Sequence, residues 1–267
     1  VLSLYAAVAD RSFRRYSTYT GATLAGIFTN SVFGLIYTFA YKALWDQAPD
    51  AGGYDSIDAV TFVWLGQALL MTVALWGGGT TDDLAERIKT GDVAIDLYRP
   101  TGLVGWYLAG DLGRATYHLV TRGLGPTFIG LIFFHIRLPS SPLDAAAFAV
   151  SLVLAVVVSF GLRFIVSSSA FWLLDASGAR FLSGAFAIFF SGMMLPLVLF
   201  PGWLGTLAQA LPWSAMIQVP NDIWLGQYDG WSLLGALAFQ VLWVVVLLGL
   251  CQGVLRAATR KVVVQGG

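Results

Sequence analysis

The sequence predicts an all-α integral membrane protein. Six transmembrane helices are expected, with an N-terminal amphipathic helix, a cytoplasmic connecting helix and a re-entrant hairpin before the last span. Three observations predict it. Of 267 residues, 57% are apolar and only 11% charged, with mean hydropathy +0.74, against about 25% charged in a soluble domain. Several uncharged runs match the roughly 20 residues that cross a hydrocarbon core of about 30 Å. The basic residues also fall mostly in alternate loops, which sets topology. The whole chain, 1–267, reads as one membrane domain.

Residues 1–19 form the amphipathic element: Leu2, Ala6, Ala9, Phe13 and Tyr16 share a helical face, while Arg11, Arg14 and Arg15 fall largely on the other. That pattern suits a helix lying in the headgroup region, and the stretch lacks the apolar core and small-residue cleavage site of a signal peptide. Tyr16 to Tyr41 carries no ionised side chain, which places a first span at 20–45. Residues 46–58 hold four aspartates and no Lys or Arg and read as an external loop. A second span at 59–78 ends in Gly77, Gly78 and Gly79.

The densely charged stretch 80–100 follows on the opposite side. Thr80 or Thr81 can cap a helix with Asp82, Asp83 and Glu86 in its first turns, Arg87 and Lys89 near its end and Gly91 terminating it. A third span at 115–137 borrows a flank containing Arg114, His118 and Arg122, whose long side chains would snorkel. A fourth lies at 144–165. Phe181 to Asn221 is uncharged for 41 residues, about 60 Å as one helix. It must fold back, and Pro196, Pro201, Pro212 and Pro220 supply the breaks. The sequence thus predicts a fifth span at 180–200, a re-entrant or external segment at 201–228, and a sixth span at 231–255. Placing both termini, 79–114 and 166–180 in the cytoplasm leaves only Lys42 and Arg137 near the outside.

The net charge is zero, with 15 basic and 15 acidic residues, so no nucleic-acid partner is indicated. Cys251, the single cysteine, forms no intrachain disulfide, and His118 and His135 cannot make a zinc site alone. No catalytic residue or metal site is assigned: a GxxxxGK[ST] phosphate loop, GxSxG and HExxH are all absent. The 80–100 segment is suited to receiving force from a soluble partner, or is an ordinary connecting loop. Polar residues within the spans, among them Asn30, Gln67, Ser183 and Ser191, either join helices or line a path. With no acid expected deep in any span, a proton-driven relay is disfavoured.

The segment RRYSTY at 14–19, IKTGDVAIDLYRP at 88–100 and SGMMLPLVLFPGW at 191–203 resemble the membrane subunit of a bacterial type-2 ABC exporter. The resemblance covers nearly the whole chain. It implies two permease subunits, the second being the same chain or a different one, working with two separate ATP-binding subunits. ATP and Mg would be held by those partners, with no cofactor in this chain, and the location implied is the bacterial plasma membrane. The excess of 12 Arg over 3 Lys in an Ala, Gly and Val-rich chain agrees with a GC-rich bacterial source.

On that resemblance, 80–100 is a coupling helix, and Asp82, Asp83, Arg87, Lys89, Gly91, Asp92, Arg99 and Pro100 are the ATPase-coupling interface. Asn30, Phe33, Gln67, Ser183, Phe186, Phe190 and Ser191 are candidates for a substrate path, and a hydrophobic or amphiphilic compound suits so apolar an interior. Two competing readings remain. One is a membrane-embedded lipid-modifying enzyme using Asp175, Arg180 and Arg163; the other is a non-transporting scaffold for an ATPase.

Overall fold

A computed structural model describes residues 2–49, 51–99 and 101–265, with side chains as far as Arg260. Pro100 lies outside the described residues, as do Val1, Asp50, Gly266 and Gly267.

Helix α1 (Leu2–Ser17) turns Tyr5, Val8, Ala9, Ser12, Phe13 and Tyr16 inward, whereas Leu2 and Ala6 are exposed. Helix α2 (Thr20–Gln47) follows, then α3 (Ser56–Thr72), started by a reciprocal cap in which the Asp58 amide donates to Asp55 Oδ1 at 2.7 Å. Helix α3 is buried along almost its whole circumference, as expected of a helix that is apolar all round. Its chain leaves through a glycine turn into α4 (Thr80–Thr90), which Gly91 ends at φ +84°, and α5 (Val93–Leu97). Helices α6 (Leu103–His118) and α7 (Leu124–Phe133) run on through a π-turn at Leu119–Gly123.

Helix α8 (Pro142–Ser168) begins with Ser141 as cap, its Oγ accepting from the Asp144 amide at 3.1 Å, and Pro142 in the first turn. It leads to α9 (Ala170–Leu173), α10 (Ser177–Phe190), α11 (Gly202–Ala210), α12 (Gln218–Trp224) and α13 (Gly230–Gln265).

Among the described residues three helices, not six, are long and apolar enough to cross a membrane: Thr20–Gln47, Pro142–Leu173 and Gly230–Arg260. They make the chain a multi-pass membrane protein and correct the six-span expectation. The second predicted span is α3, whose 17 residues extend only about 26 Å before the glycine turn. The fifth is α10, whose 14 residues extend about 21 Å. The third is divided by the π-turn; Arg114 on its flank is buried against Asp111 and the Met71 carbonyl, and Arg122 in the π-turn donates to the Ala22 carbonyl of α2 at 3.2 Å. The re-entrant hairpin is also overturned: α11 packs on the turn at Leu197–Leu199, while α12 packs on α8 and α3, so the two do not fold back on each other.

The main core lies between α2, α3, α8 and the segment 213–225, with Trp45, Phe62, Leu69 and Ile217 among its buried residues. A second core, around Leu84, Val93, Tyr107, Phe160, Phe164 and Cys251, seats α4 and α5 against α6, α8 and α13. These short charged helices are therefore anchored on a packed end of the bundle.

Candidate coupling site and adjoining cleft

Helix α4 places its charges on one turn after another, and all but the outward-facing Glu86 find a partner on another element. Arg15 of α1 grips Asp83 through both terminal nitrogens, at 2.5 and 3.2 Å. Arg180 of α10 pairs with Asp82 at 3.3 Å, and Lys89 reaches Asp175 in the α9–α10 turn at 3.8 Å. Thr80 Oγ1 donates to the Tyr107 carbonyl of α6 at 3.1 Å. Exposed pairs of this kind contribute at most about 1 kcal/mol each, so their value is in fixing the position of α4.

The link from α4 to α5 is stronger because it is buried. Arg87 Nε donates to Asp96 Oδ2 at 2.5 Å, Arg99 Nη2 meets Asp96 Oδ1 at 2.9 Å, and the Tyr107 hydroxyl donates to the same carboxylate at 3.1 Å. Asp96 is buried, and the Arg99 guanidinium lies 4.3 Å from the centre of the Trp106 ring. Hydrogen bonding to Asp96 raises the Arg87 pKa, so the cation is held on. Glu86, Lys89, Thr90, Gly91, Asp92, Ile95 and Tyr98 face outward, with Ile95 64% and Tyr98 90% exposed. Of the predicted interface, Asp82, Asp83, Arg87 and Arg99 are thus tied into the chain, while Lys89, Gly91 and Asp92 lie on the outer surface.

Above α4 sits an ionic node that the sequence reading did not single out. Asp111 is fully buried and accepts from Arg114 Nε at 2.8 Å and from Arg163 Nη2 at 2.6 Å. The extra positive charge is met by carbonyls at the C-terminal end of α3 and in the turn after it. Arg114 donates to Met71 and Thr72 at 2.6 and 2.9 Å, and Arg163 donates to Gly78 at 3.0 Å. That is where the helix dipole favours cations. Burial alone would raise the Asp111 carboxyl, but Arg114 and Arg163 outweigh it and hold the group below the usual carboxylate range. Arg163 also donates to Thr81 Oγ1 at 3.3 Å, so the node joins α3, α4, α6 and α8.

A cleft of about 350 Å3 opens beside this node between α8 and α10. Asp82, Arg163 and Arg180 line its charged end, while Leu162, Ile188, Met216 and Trp213 line the remainder. Ser167 Oγ and Trp213 Nε1, both on its wall, are buried without a hydrogen-bond partner.

The structure brings only part of the predicted substrate path here. Ser183 lines the cleft, and Phe186 and Phe190 contact Trp213 at centroid distances of 6.1 and 5.9 Å. Ser191 is buried beyond the end of α10, where its carbonyl accepts from the Gln218 amide at 3.0 Å. Asn30 instead joins two helices, its Nδ2 donating to the Gln67 carbonyl at 3.3 Å. Phe33 is half-exposed on α2, and neither it nor Gln67 lines the cleft. Of the residues of the lipid-enzyme reading, Arg163 and Arg180 meet at the charged end of the cleft, paired with Asp111 and Asp82, while Asp175 is not among its lining residues and pairs with Lys89.

A bundle with several membrane-crossing helices, a short charged helix pair on one end and a cleft beside it is the architecture of a membrane permease. The family model of the ABC-2 family transporter proteins matches residues 32–266, and the chain belongs to that family. It is accordingly a permease of the ABC-transporter type and not itself a catalyst. No curated protein matches it.

Proposed function

We propose that the chain is the membrane subunit through which separate ATP-hydrolysing subunits drive the export of an amphiphilic compound. The observation that carries this reading is the chain of contacts leading inward from α4 and α5. The Asp96 cluster fixes α5 to α4 and α6, Thr80 and Thr81 fix α4 to α6 and α8, and Arg163 lies both in the Asp111 node and on the wall of the cleft. A displacement of α4 is therefore transmitted to the α8–α10 cleft through charged contacts that have few alternative arrangements. A partner drives the cycle only if it binds one of two packings more tightly than the other.

The excess of Lys and Arg in the loops at this end supports a cytoplasmic position for α4 and α5, where a soluble ATPase would meet them. Outward-facing Ile95 and Tyr98 supply the apolar contact of that meeting, flanked by Lys89 and Asp92. The cleft supports the choice of substrate, because one end is charged and the other is lined by apolar and aromatic side chains. A second permease subunit, identical or different, completes the assembly in this reading.

The test is to tag the chain, extract it from its native membrane and identify by mass spectrometry what accompanies it, while assaying ATP hydrolysis. A soluble chain carrying a phosphate loop should be recovered. Ile95→Asp and Tyr98→Ala should reduce its recovery about tenfold, equivalent to about 1.4 kcal/mol, without changing the melting of the permease. Undiminished recovery with both variants would sink the assignment of this surface.

A further inference from the structure

We propose that a cavity at the opposite end of the bundle binds an organic ammonium cation, with the Asp222 carboxylate as its counter-ion. The cavity measures about 460 Å3 and lies between the 52–54 loop, α12 and the start of α13. Asp222, Tyr54 and Gln218 form its buried base, while Gln209, Gln227 and Gly235 are exposed at its rim.

Asp222 is supplied with hydrogen bonds but not with charge. The Tyr54 hydroxyl donates to it in a very short contact, Gln218 Nε2 donates at 2.9 and 3.0 Å, and the Tyr228 hydroxyl donates at 3.3 Å. All three donors are neutral. Among the described residues no basic side chain pairs with this carboxylate. Arg137, at the same end, is taken by Asp55 at 2.5 Å and Asp58 at 2.6 Å. Ionised carboxylates are rarely fully buried without a counter-charge, because desolvation is several kcal/mol per ion. Here the uncompensated charge faces an open cavity, so the missing cation has somewhere to sit.

The walls specify what kind of cation fits. A calcium or magnesium ion takes six or more oxygen ligands in a tight shell, whereas this space is many times larger than one ion and is lined by Val198, Val219, Ala236 and Phe239 as well. An ammonium head on Asp222 with an apolar body against Val219 and Phe239 uses both halves of the surface, and aromatic rings add attraction for the cation.

Protonation agrees with this assignment. Burial holds the Asp222 carboxyl up at about 6, and burial together with Asp222 raises the phenols of Tyr54 and Tyr228, which remain donors. Of the other charged groups at this end, Asp55 and Asp58 pair with Arg137, Asp144 bonds Ser141 and Asp229 bonds Ser232, while Lys42 and Asp46 are exposed on α2 and do not line the cavity. Asp222 is therefore ionised at neutral pH and loses its charge on mild acidification.

The experiment uses the full chain in lipid nanodiscs and needs no ATP or partner, so its outcome is independent of the transport reading. Binding of benzylammonium is measured by equilibrium dialysis beside benzyl alcohol, its neutral counterpart. Saturable binding of the ammonium, about tenfold tighter than the alcohol and about tenfold weaker at roughly pH 5 than at neutral pH, is the expected result. Asp222→Asn should abolish the preference for the charged probe. Gly235→Leu keeps Asp222 and introduces a side chain whose Cβ meets nothing within 4 Å; it should block binding without lowering the melting temperature, and it decides the matter should Asp222→Asn fail to fold. Equal binding of both probes, undiminished binding by Gly235→Leu, or displacement of benzylammonium by potassium alone would overturn the proposal.

Discussion

Arg163 of α8 donates to Asp111 of α6 through both terminal nitrogens, at 2.6 and 3.3 Å, with the carboxylate completely buried. This contact and the Arg114 bonds to Met71 and Thr72 fasten three helices at the level where α4 begins. Removing one partner of a buried ion pair leaves a charge without compensation, at a cost of about 3–5 kcal/mol. Asp111→Ala should therefore lower stability by that order, measured as a shift in the melting of the purified chain. Asp175→Ala, which removes an exposed pair 3.8 Å long, should change melting little. Equal effects from the two variants would refute the node.

The glycines around α4 differ in what they tolerate. Gly79 has φ +88°, and a Cβ there would meet Arg114 Cδ at 2.7 Å; Gly91 has φ +84° with nothing within 4 Å. Gly91→Ala should show only the left-handed backbone penalty, about 1–2 kcal/mol. Gly79→Ala should exceed it, because φ +88° with ψ −156° is a conformation open essentially to glycine alone and the new Cβ would also displace the arginine that satisfies the end of α3. Comparing the two melting temperatures checks the order.

Much of this arrangement was legible beforehand, for identifiable reasons. The Gly91 stop and the charges before it follow from local chemistry, and α4 spans Thr80–Thr90 as they indicate, but the expected threonine cap does not form: Gly79 stands at the cap position without a side-chain bond, while Thr80 donates to the Tyr107 carbonyl and Thr81 accepts from Arg163. The number of membrane-crossing helices was not legible, because apolar content does not separate a spanning helix from one buried among others: α3 is as apolar as a span yet is enclosed by protein. Asp111 and Arg114 are three residues apart on one helix, a spacing that pairs side chains, but their third partner, Arg163, is 52 positions away from Asp111. The acids at Asp96 and Asp222 are likewise buried by distant contacts. Ser183 reached the cleft while Asn30 did not, since a polar residue in an apolar helix gives no sign of which neighbour it will meet.

His118 provides a pH dependence with a defined sign. Burial, reinforced by Arg114 and Arg122, lowers its pKa from 6.5 to about 4. Between those values the unfolded chain binds the proton and the folded chain does not, so stability rises with pH. It is therefore lost progressively as pH falls from about 6.5 towards 4. Replacing the ring by one that does not titrate, His118→Phe, should flatten the part of the melting-temperature profile that lies in this window. An unchanged slope would show that the imidazole is already charged in the folded protein.

Helix α1 is held to α6 by a close backbone approach. A Cβ on Gly113 would lie 2.0 Å from the Ala9 carbonyl oxygen, whereas one on Gly105 would meet only the tip of Tyr5, its hydroxyl at 3.0 Å. The first obstruction is main chain and cannot rotate away; the second is a flexible side-chain end. Gly113→Ala should therefore lift α1 from α6 and expose the peptide bonds after Arg11, Arg14 and Arg15 to trypsin, since local opening admits the protease. Gly105→Ala should leave the cleavage rate near that of the unaltered chain. Because Arg15 also holds Asp83 on α4, the released helix should weaken the seating of α4, and Arg15→Ala combined with Gly113→Ala should then add little to the single glycine variant. Full additivity of the two substitutions would show that α1 and α4 are positioned independently.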